Sequence, residues 1–353
     1  MCDDTTGHVE ASFGSPRQAP GPAVDPIHLE AVDEVSVTVL VDNFYDALVE
    51  SGPGVKRPGF GAGFAYARQF EGGRTPVGMV AEHGFSAVVS VRRGAERSAI
   101  LLDTGLSPDA MVTNGGRLGV DFEDVQAVVL SHGHFDHAGG LEGLARRRGR
   151  KALPMVIHPL VWTRRRLAIP GGDFEMPTLS RRALQEEGFE VVERRFPSLV
   201  AEAGILITGE VDRTTEFEHG MPPAHQHWVG TGWEPDPLVL DDQALVVNVR
   251  GRGLVVVTGC GHAGVVNIVR HAMRLTGETR LSAVFGGFHL GGRAFEPNIA
   301  PTVEHLAEIG VELLVPGHCT GWRAQHALAA AFPDAWAQSS AGSSFTLQAT
   351  DPS

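Results

Sequence analysis

Apolar and polar residues alternate most clearly at Val35-Ser36-Val37-Thr38-Val39-Leu40-Val41, a β-branched run that predicts the first strand. Residues 85–91 and 98–102 read as a strand pair, with 92–97 as the turn between them. Shorter apolar runs at 127–130 and 155–157 predict further strands. Residues 244–249 and 254–258 predict a hairpin around Gly251-Arg252-Gly253, and 282–285 and 311–315 predict two more strands. Between these runs the period changes to that of a helix. Ser107-Pro108 predicts a helix start, Ser107 as cap and Pro108 in the first turn, with the helix fading at Gly115-Gly116. Further helices are expected over 140–148, 181–187, 265–275 (stopped by Gly277), 301–309 and 324–331. Strands that alternate with helices imply an α/β or mixed layered sheet.

Three stretches lack a period. Residues 1–30 mix Gly, Pro, Asp and Ser and are expected to form a disordered tail, leaving a domain over 31–345. Residues 51–63 read as a loop. Residues 160–240 read as an irregular insertion, and 219–237, rich in Pro, Gly, His and Trp, as its loop. A loop of that length in a compact domain is often functional, so the insertion is expected to shape a substrate pocket.

With 42% hydrophobic and 20% charged residues, the chain of 353 residues is globular in composition. The formal net charge of -13 argues against a nucleic-acid surface. No apolar run reaches the roughly 20 residues of a membrane helix, and the N-terminus has no basic start followed by an apolar stretch. Three cysteines are too few for a disulfide framework. The expectation is a cytoplasmic protein acting on a small molecule, neither membrane-bound nor bound to nucleic acid. An anionic substrate stays compatible with the negative charge, because a bound metal reverses the local field.

The histidines change the picture, because several of the 16 cluster in Gly-rich turns after apolar strands. In Ser131-His132-Gly133-His134-Phe135-Asp136-His137-Ala138-Gly139-Gly140, three imidazoles and a carboxylate fall within six residues. His132 and His134 alternate on an extended segment and can aim at one ion. Asp136 and His137 can turn toward a second. Nitrogen ligands with one carboxylate suit Zn²⁺, with Mn and Fe also compatible.

This His-x-His-x-Asp-His motif, with Leu101-Leu102-Asp103-Thr104-Gly105 upstream, resembles the metallo-β-lactamase superfamily over about residues 35–325. The resemblance implies a four-layer αβ/βα sandwich with an inserted irregular region and two metal ions at one edge. It makes Asp103 a residue that orients a ligand, although Asp103 also suits a turn cap. Gly259-Cys260-Gly261-His262-Ala263-Gly264 falls where the superfamily strand usually ends in Gly-Asp, so Cys260 stands in place of a bridging carboxylate. Two readings of Cys260 stand: a thiolate ligand, or a small buried residue. His262 is an added imidazole. The superfamily's third histidine, due about twenty residues before this strand, is replaced by Asp241-Asp242-Gln243, and His262 is the candidate substitute. His318, in Pro316-Gly317-His318-Cys319-Thr320-Gly321, matches the last histidine of the family.

Further motifs are similar to one branch, typified by the archaeal 7,8-dihydropterin-6-methyl-4-(β-D-ribofuranosyl)aminobenzene 5′-phosphate synthases. They are Val41-Asp42-Asn43, Glu82-His83-Gly84-Phe85-Ser86, Gly286-Gly287-Phe288-His289-Leu290 and Thr208-Gly209-Glu210-Val211-Asp212-Arg213. The implied activity is hydrolysis, or a transfer in which the metals hold a departing pyrophosphate. Asp136 and His289 are then the candidate acid–base residues, His289 serving equally as a turn residue. Glu82, His83 and Arg213 are candidate substrate contacts, Arg213 through a phosphate. The redox branch of the superfamily usually carries Glu where this chain has His134. A non-enzyme reading remains, a metal-dependent binding or sensor protein whose Cys260 site no longer turns over.

Overall fold

A computed structural model describes residues 25–202 and 204–350. Two sheets face one another. The first holds eight strands in the order Phe189–Glu193, Leu153–Ile157, Val125–Val129, Glu96–Leu102, Ser86–Arg93, Glu34–Val41, Ser344–Gln348 and Val55–Lys56. The second holds six, in the order Ser198–Val200, Ile205–Ile207, Leu245–Val249, Gly253–Val257, Leu281–Gly287 and Val311–Gly317.

The alternation seen in the sequence decides which side chains meet. Val35, Val37, Ile100, Leu102 and Val129 from one sheet pack against Leu245, Val247, Val255, Val257 and Phe285 from the other. The odd-phase neighbours point outward. Leu101 and Val128 meet the helices Ala110–Leu118 and Leu141–Arg147 through Met111 and Leu144. Val246, Leu254 and Val256 meet Val265–Thr276, Ile299–Ile309 and Trp322–Ala331 through Ile268, Leu306 and Leu328. A strand period of two thus produces one core between the sheets and one on each outer face, which is the four-layer αβ/βα sandwich.

Several expectations change. The helix near 107 starts at Ala110 with Asp109 as its N-cap residue and no side-chain cap, so Ser107 does not cap it. It also runs through Gly115-Gly116 to Leu118. Gly115 packs on the Phe122 ring where a Cβ would collide, and the left-handed cap is Gly119. Close packing outweighs the poor helix propensity of glycine there. The expected turn 92–97 is only Gly94-Ala95, because the strands on either side extend to Arg93 and Glu96.

The tail expected over 1–30 lies mostly outside the described residues. Residues 25–30 are described and are docked: Leu29 is buried against the outer core, and the Ile27 N–H donates to the Leu275 carbonyl. The domain also extends past 345, since Ser344–Gln348 is a strand that pairs antiparallel with Glu34–Val41. The 219–237 loop contains two strands, His225–Trp228 and Trp233–Pro235. With Arg165–Leu167 and Phe174–Glu175 they form a four-stranded sheet.

Candidate metal centre

The site gathers where strands end. Val125–Val129 runs into Ser131–His137, Gly253–Val257 into Gly259–Gly264, and Val311–Gly317 into His318. The strands Gly253–Val257, Leu281–Gly287 and Val311–Gly317 are parallel neighbours, so their C-terminal ends share one edge. Asp103, His289 and His318, all at such ends, have φ of 56°, 44° and 46°. Left-handed backbone at non-glycine residues is costly and concentrates at functional sites.

Two ligand groups form around one sulfur. In the first, His132 Nε2, His134 Nδ1 and His262 Nε2 lie 2.9, 3.1 and 3.1 Å apart. In the second, His137 Nε2 and His318 Nε2 lie 3.1 and 3.2 Å from Cys260 Sγ, and Asp136 Oδ2 lies 3.4 Å from His318 Nε2. Cys260 Sγ lies close enough to share an ion with Asp136, His137 and His318, and also with His132 and His262 of the triad. Nitrogens bound to a common tetrahedral Zn²⁺ at 2.0–2.1 Å stand about 3.3 Å apart, so the triad is close to that spacing. His262 thereby completes a nitrogen triad with His132 and His134.

Protonation suits the geometry of the His132, His134 and His262 triad. Burial, then mutual repulsion with neighbouring histidines and Arg165, pushes His132 and His134 well below 6.5. Burial, then His289 and His132, does the same to His262. All three are neutral near pH 7 and keep a free lone pair, as metal binding requires. Burial also disfavours a charged His137, but the Asp103 and Asp136 carboxylates outweigh it and push His137 up to about 9. Asp136 is held well below the usual carboxylate range by His137 and His318, against burial. Burial raises the Cys260 thiol.

Most of these imidazoles are fixed through their other nitrogen. His137 Nδ1 lies 2.7 Å from Asp103 Oδ2, His132 Nδ1 lies 2.9 Å from Ser131 Oγ, and His318 Nδ1 lies 3.1 Å from Asn43 Oδ1. Asp103 also accepts from the Ser131 N–H and hydroxyl, at 2.7 Å each. Such partners orient ligands and set their tautomers. His262 Nδ1 is buried without a partner.

Asp241, read in the sequence only as standing where a third histidine is due, and two residues given no role there, Arg165 and His225, surround the first loop. Asp241 accepts from the Gly133 N–H at 2.8 Å and from both terminal nitrogens of Arg165. Arg165 also binds Asp236 at 2.9 Å. His225 is fully buried, with Nε2 2.9 Å from His134 Nε2. His225 falls within the 219–237 stretch that reads as a loop, and the signal that could have found it is the His225-Gln226-His227 alternation.

The other candidates are placed as follows. His83 is exposed, with Nε2 3.6 Å from Asp136 Oδ2, so it stands at the mouth of the centre. His289 is half-buried, its ring 4.2 Å from that of His262. Glu82 accepts from the N–H groups of Leu106 and Ser107 at 2.9 and 3.0 Å, which engages it in holding that turn. Arg213 is 7% exposed and donates to the carbonyls of His262 and Leu238. Its guanidinium braces the second turn through these carbonyls.

A four-layer αβ/βα sandwich that gathers imidazoles, a carboxylate and a thiol at one edge defines a class. The model of the metallo-β-lactamase superfamily matches residues 82–271, and the chain belongs to that superfamily of metal-dependent enzymes. Within it the chain is 28% identical over 271 residues to the 7,8-dihydropterin-6-methyl-4-(β-D-ribofuranosyl)-aminobenzene-5′-phosphate synthase of Methanocaldococcus jannaschii, covering 74% of this chain and 88% of that protein. It is 27% identical over 249 residues to an uncharacterised protein of the same organism, covering 69% and 86%. The crystal structure of a metal-dependent hydrolase of the β-lactamase superfamily superposes with a TM-score of 0.64 at 25% identity, covering 90% of this chain and all of the other. No helix among the described residues is long and apolar enough to cross a membrane.

Proposed function

We propose that the protein is an enzyme with a dinuclear metal centre, most naturally zinc, acting on a small anionic substrate. His132, His134 and His262 would hold one ion, Asp136, His137 and His318 the other, with Cys260 shared. The observation that carries this reading is the pair of ligand groups converging on the Cys260 sulfur. When bound, such ions supply Lewis acidity and compensate negative charge on oxygen.

The chain's own residues then have separate tasks. Asp136 stays ionised and can accept a hydrogen bond beside His318. His83 at the mouth can donate to a substrate oxygen, and His289, next to His262, is the candidate proton donor to a leaving group. A cavity of about 430 Å³ opens beside Asn43 and His318, walled by Phe44, Trp322 and Trp336, and offers room for an organic substrate.

The likeness to a named synthase supports a transfer reaction, and the likeness to a metal-dependent hydrolase supports attack by water. Elemental analysis of the purified chain tests the centre: about two equivalents of zinc, manganese or iron are expected, and one or none after metal is supplied overturns the dinuclear reading. The zinc-loaded protein is then offered phosphoesters, lactones and pterin pyrophosphates in heavy-oxygen water. Label in the product marks hydrolysis, and an unlabelled joined product marks transfer. Tight binding with no turnover of any of them would instead mark a sensor.

A further inference from the structure

The geometry points to His225 as the residue that sets the tautomer of His134, and we propose that the inserted sheet exists in part to deliver it. The inference rests on the metal-centre reading above. His134 presents Nδ1 to the triad, 2.9 Å from His132 Nε2 and 3.1 Å from His262 Nε2. That nitrogen can serve as a ligand only when the ring proton sits on Nε2. His134 Nε2 lies 2.9 Å from His225 Nε2, so His225 must accept there. A neutral imidazole that accepts at Nε2 carries its proton on Nδ1. His225 Nδ1 lies 3.1 Å from the Asp236 carbonyl, which can only accept. Every proton in the chain from triad to His134 to His225 to Asp236 therefore has one consistent position.

The insertion supplies His225 and Asp236, the two residues of this chain that lie behind His134. His225 pairs with Leu167 across the small sheet, and Asp236 follows its last strand. Arg165, one strand away, holds the Asp236 carboxylate at 2.9 Å, and the Asp236 N–H donates back to the His225 carbonyl. Both His225 and Arg165 are buried, so water does not substitute for either one. The face that carries them belongs to residues 160–240, otherwise expected to shape a pocket. His225 touches no reacting atom in this scheme and is a positioning residue.

Two variants separate positioning from simple packing. His225→Leu keeps bulk but accepts no hydrogen bond. His225→Gln keeps an acceptor for His134 and a donor for Asp236. Zinc affinity is read by competition with a chromogenic chelator, and the His134 tautomer by nitrogen NMR of the metal-free protein with labelled histidine. His225→Leu is expected to weaken the tighter or looser of the zinc sites by roughly 10–100-fold and to lose the Nε2-protonated signature of His134. His225→Gln is expected to restore both. Wild-type zinc affinity in the Leu variant, or equal losses in the Gln and Leu variants, would overturn the proposal. The NMR arm needs no metal. A wild-type protein that shows the Nε2-protonated tautomer but takes up no zinc would sink the metal-centre reading alone, and one with His134 protonated on Nδ1 would sink the His225 assignment.

Discussion

The two turns that deliver the first ligand triad are held by opposite means. Ser131–His137 is held by charge: Asp241 takes the Gly133 N–H and is itself clamped by Arg165, while Asp103 takes the Ser131 N–H, the Ser131 hydroxyl and His137. Gly259–Gly264 is held by weaker contacts. Asp242 accepts from the Ala263 N–H at 2.8 Å, and Arg213 donates to the His262 carbonyl at 2.9 Å. Asp241 and Asp242 are neighbours in sequence, yet their acidities move apart. Both are buried, but Arg165 and the Gly133 N–H lower Asp241, whereas burial prevails at Asp242 and pushes it up to about 6. A charge with a bidentate partner stays ionised in the interior, and one without tends toward neutrality. The first loop, which carries four of the candidate ligands, is thereby the more rigid.

Breaking each brace should expose that difference most strongly. Arg165→Met leaves Asp241 and Asp236 buried and unpaired, and about 3–5 kcal/mol of stability should be lost. Arg213→Met leaves two carbonyls without a donor but no bidentate carboxylate, and about 1–3 kcal/mol should be lost. Urea unfolding of the metal-free proteins measures both. Equal losses would mean that the two turns are braced alike.

A smaller difference should separate the histidines themselves. His134 has partners at both ring nitrogens, whereas His262 has none at Nδ1. In metal-free protein, His134→Ala should cost about 1 kcal/mol more than His262→Ala, one net hydrogen bond. Both should nevertheless reduce the zinc content from about two equivalents toward one, since both leave the same triad incomplete. Full zinc content in His262→Ala would remove His262 from the centre.

Much of this was legible from strand ends. His132, His134, Asp136, His137, Cys260, His262 and His318 each follow an apolar run within a few residues, so local sequence marks them. The strands Leu245–Val249 and Gly253–Val257 were legible as a hairpin of two apolar runs around Gly251-Arg252-Gly253, although runs buried on both faces do not show which side chains meet the other sheet. His225 and Arg165 were not, because they reach the site through pairing between short strands in a stretch with no clear period. The strand Ser344–Gln348 escaped for a related reason: its partner, Glu34–Val41, lies some three hundred residues away. Gly115-Gly116 misled because the Phe122 ring that requires a glycine is visible only in the packed structure. Arg213 misled in the other direction, since an arginine in a polar motif suggests an anion, and only burial reveals its carbonyl partners.

The subtlest expected effect is the pH dependence of the second turn. Burial pushes the Asp242 carboxyl up to about 6 in the folded chain, against about 3.9 for a free Asp. The folded state therefore holds a proton more tightly than the unfolded state. Stability from this group is complete below about pH 4 and is lost as pH rises through about 6. The structure gives the reason: Oδ2 has the Ala263 N–H, but Oδ1 is buried without a partner, so the second negative oxygen is uncompensated. Asp242→Asn keeps an acceptor for Ala263 and removes the titration. Between about pH 5 and pH 7 the metal-free wild type should lose roughly 1 kcal/mol more stability than Asp242→Asn. Asp241→Asn should behave in the opposite sense, removing stability that is present in full above about pH 4, where Asp241 is ionised against Arg165, and that the wild type itself loses only as pH falls below that. Parallel pH curves for wild type and Asp242→Asn would show that Arg213 is enough to keep Asp242 ionised, and the contrast between the two turns would then rest on geometry alone.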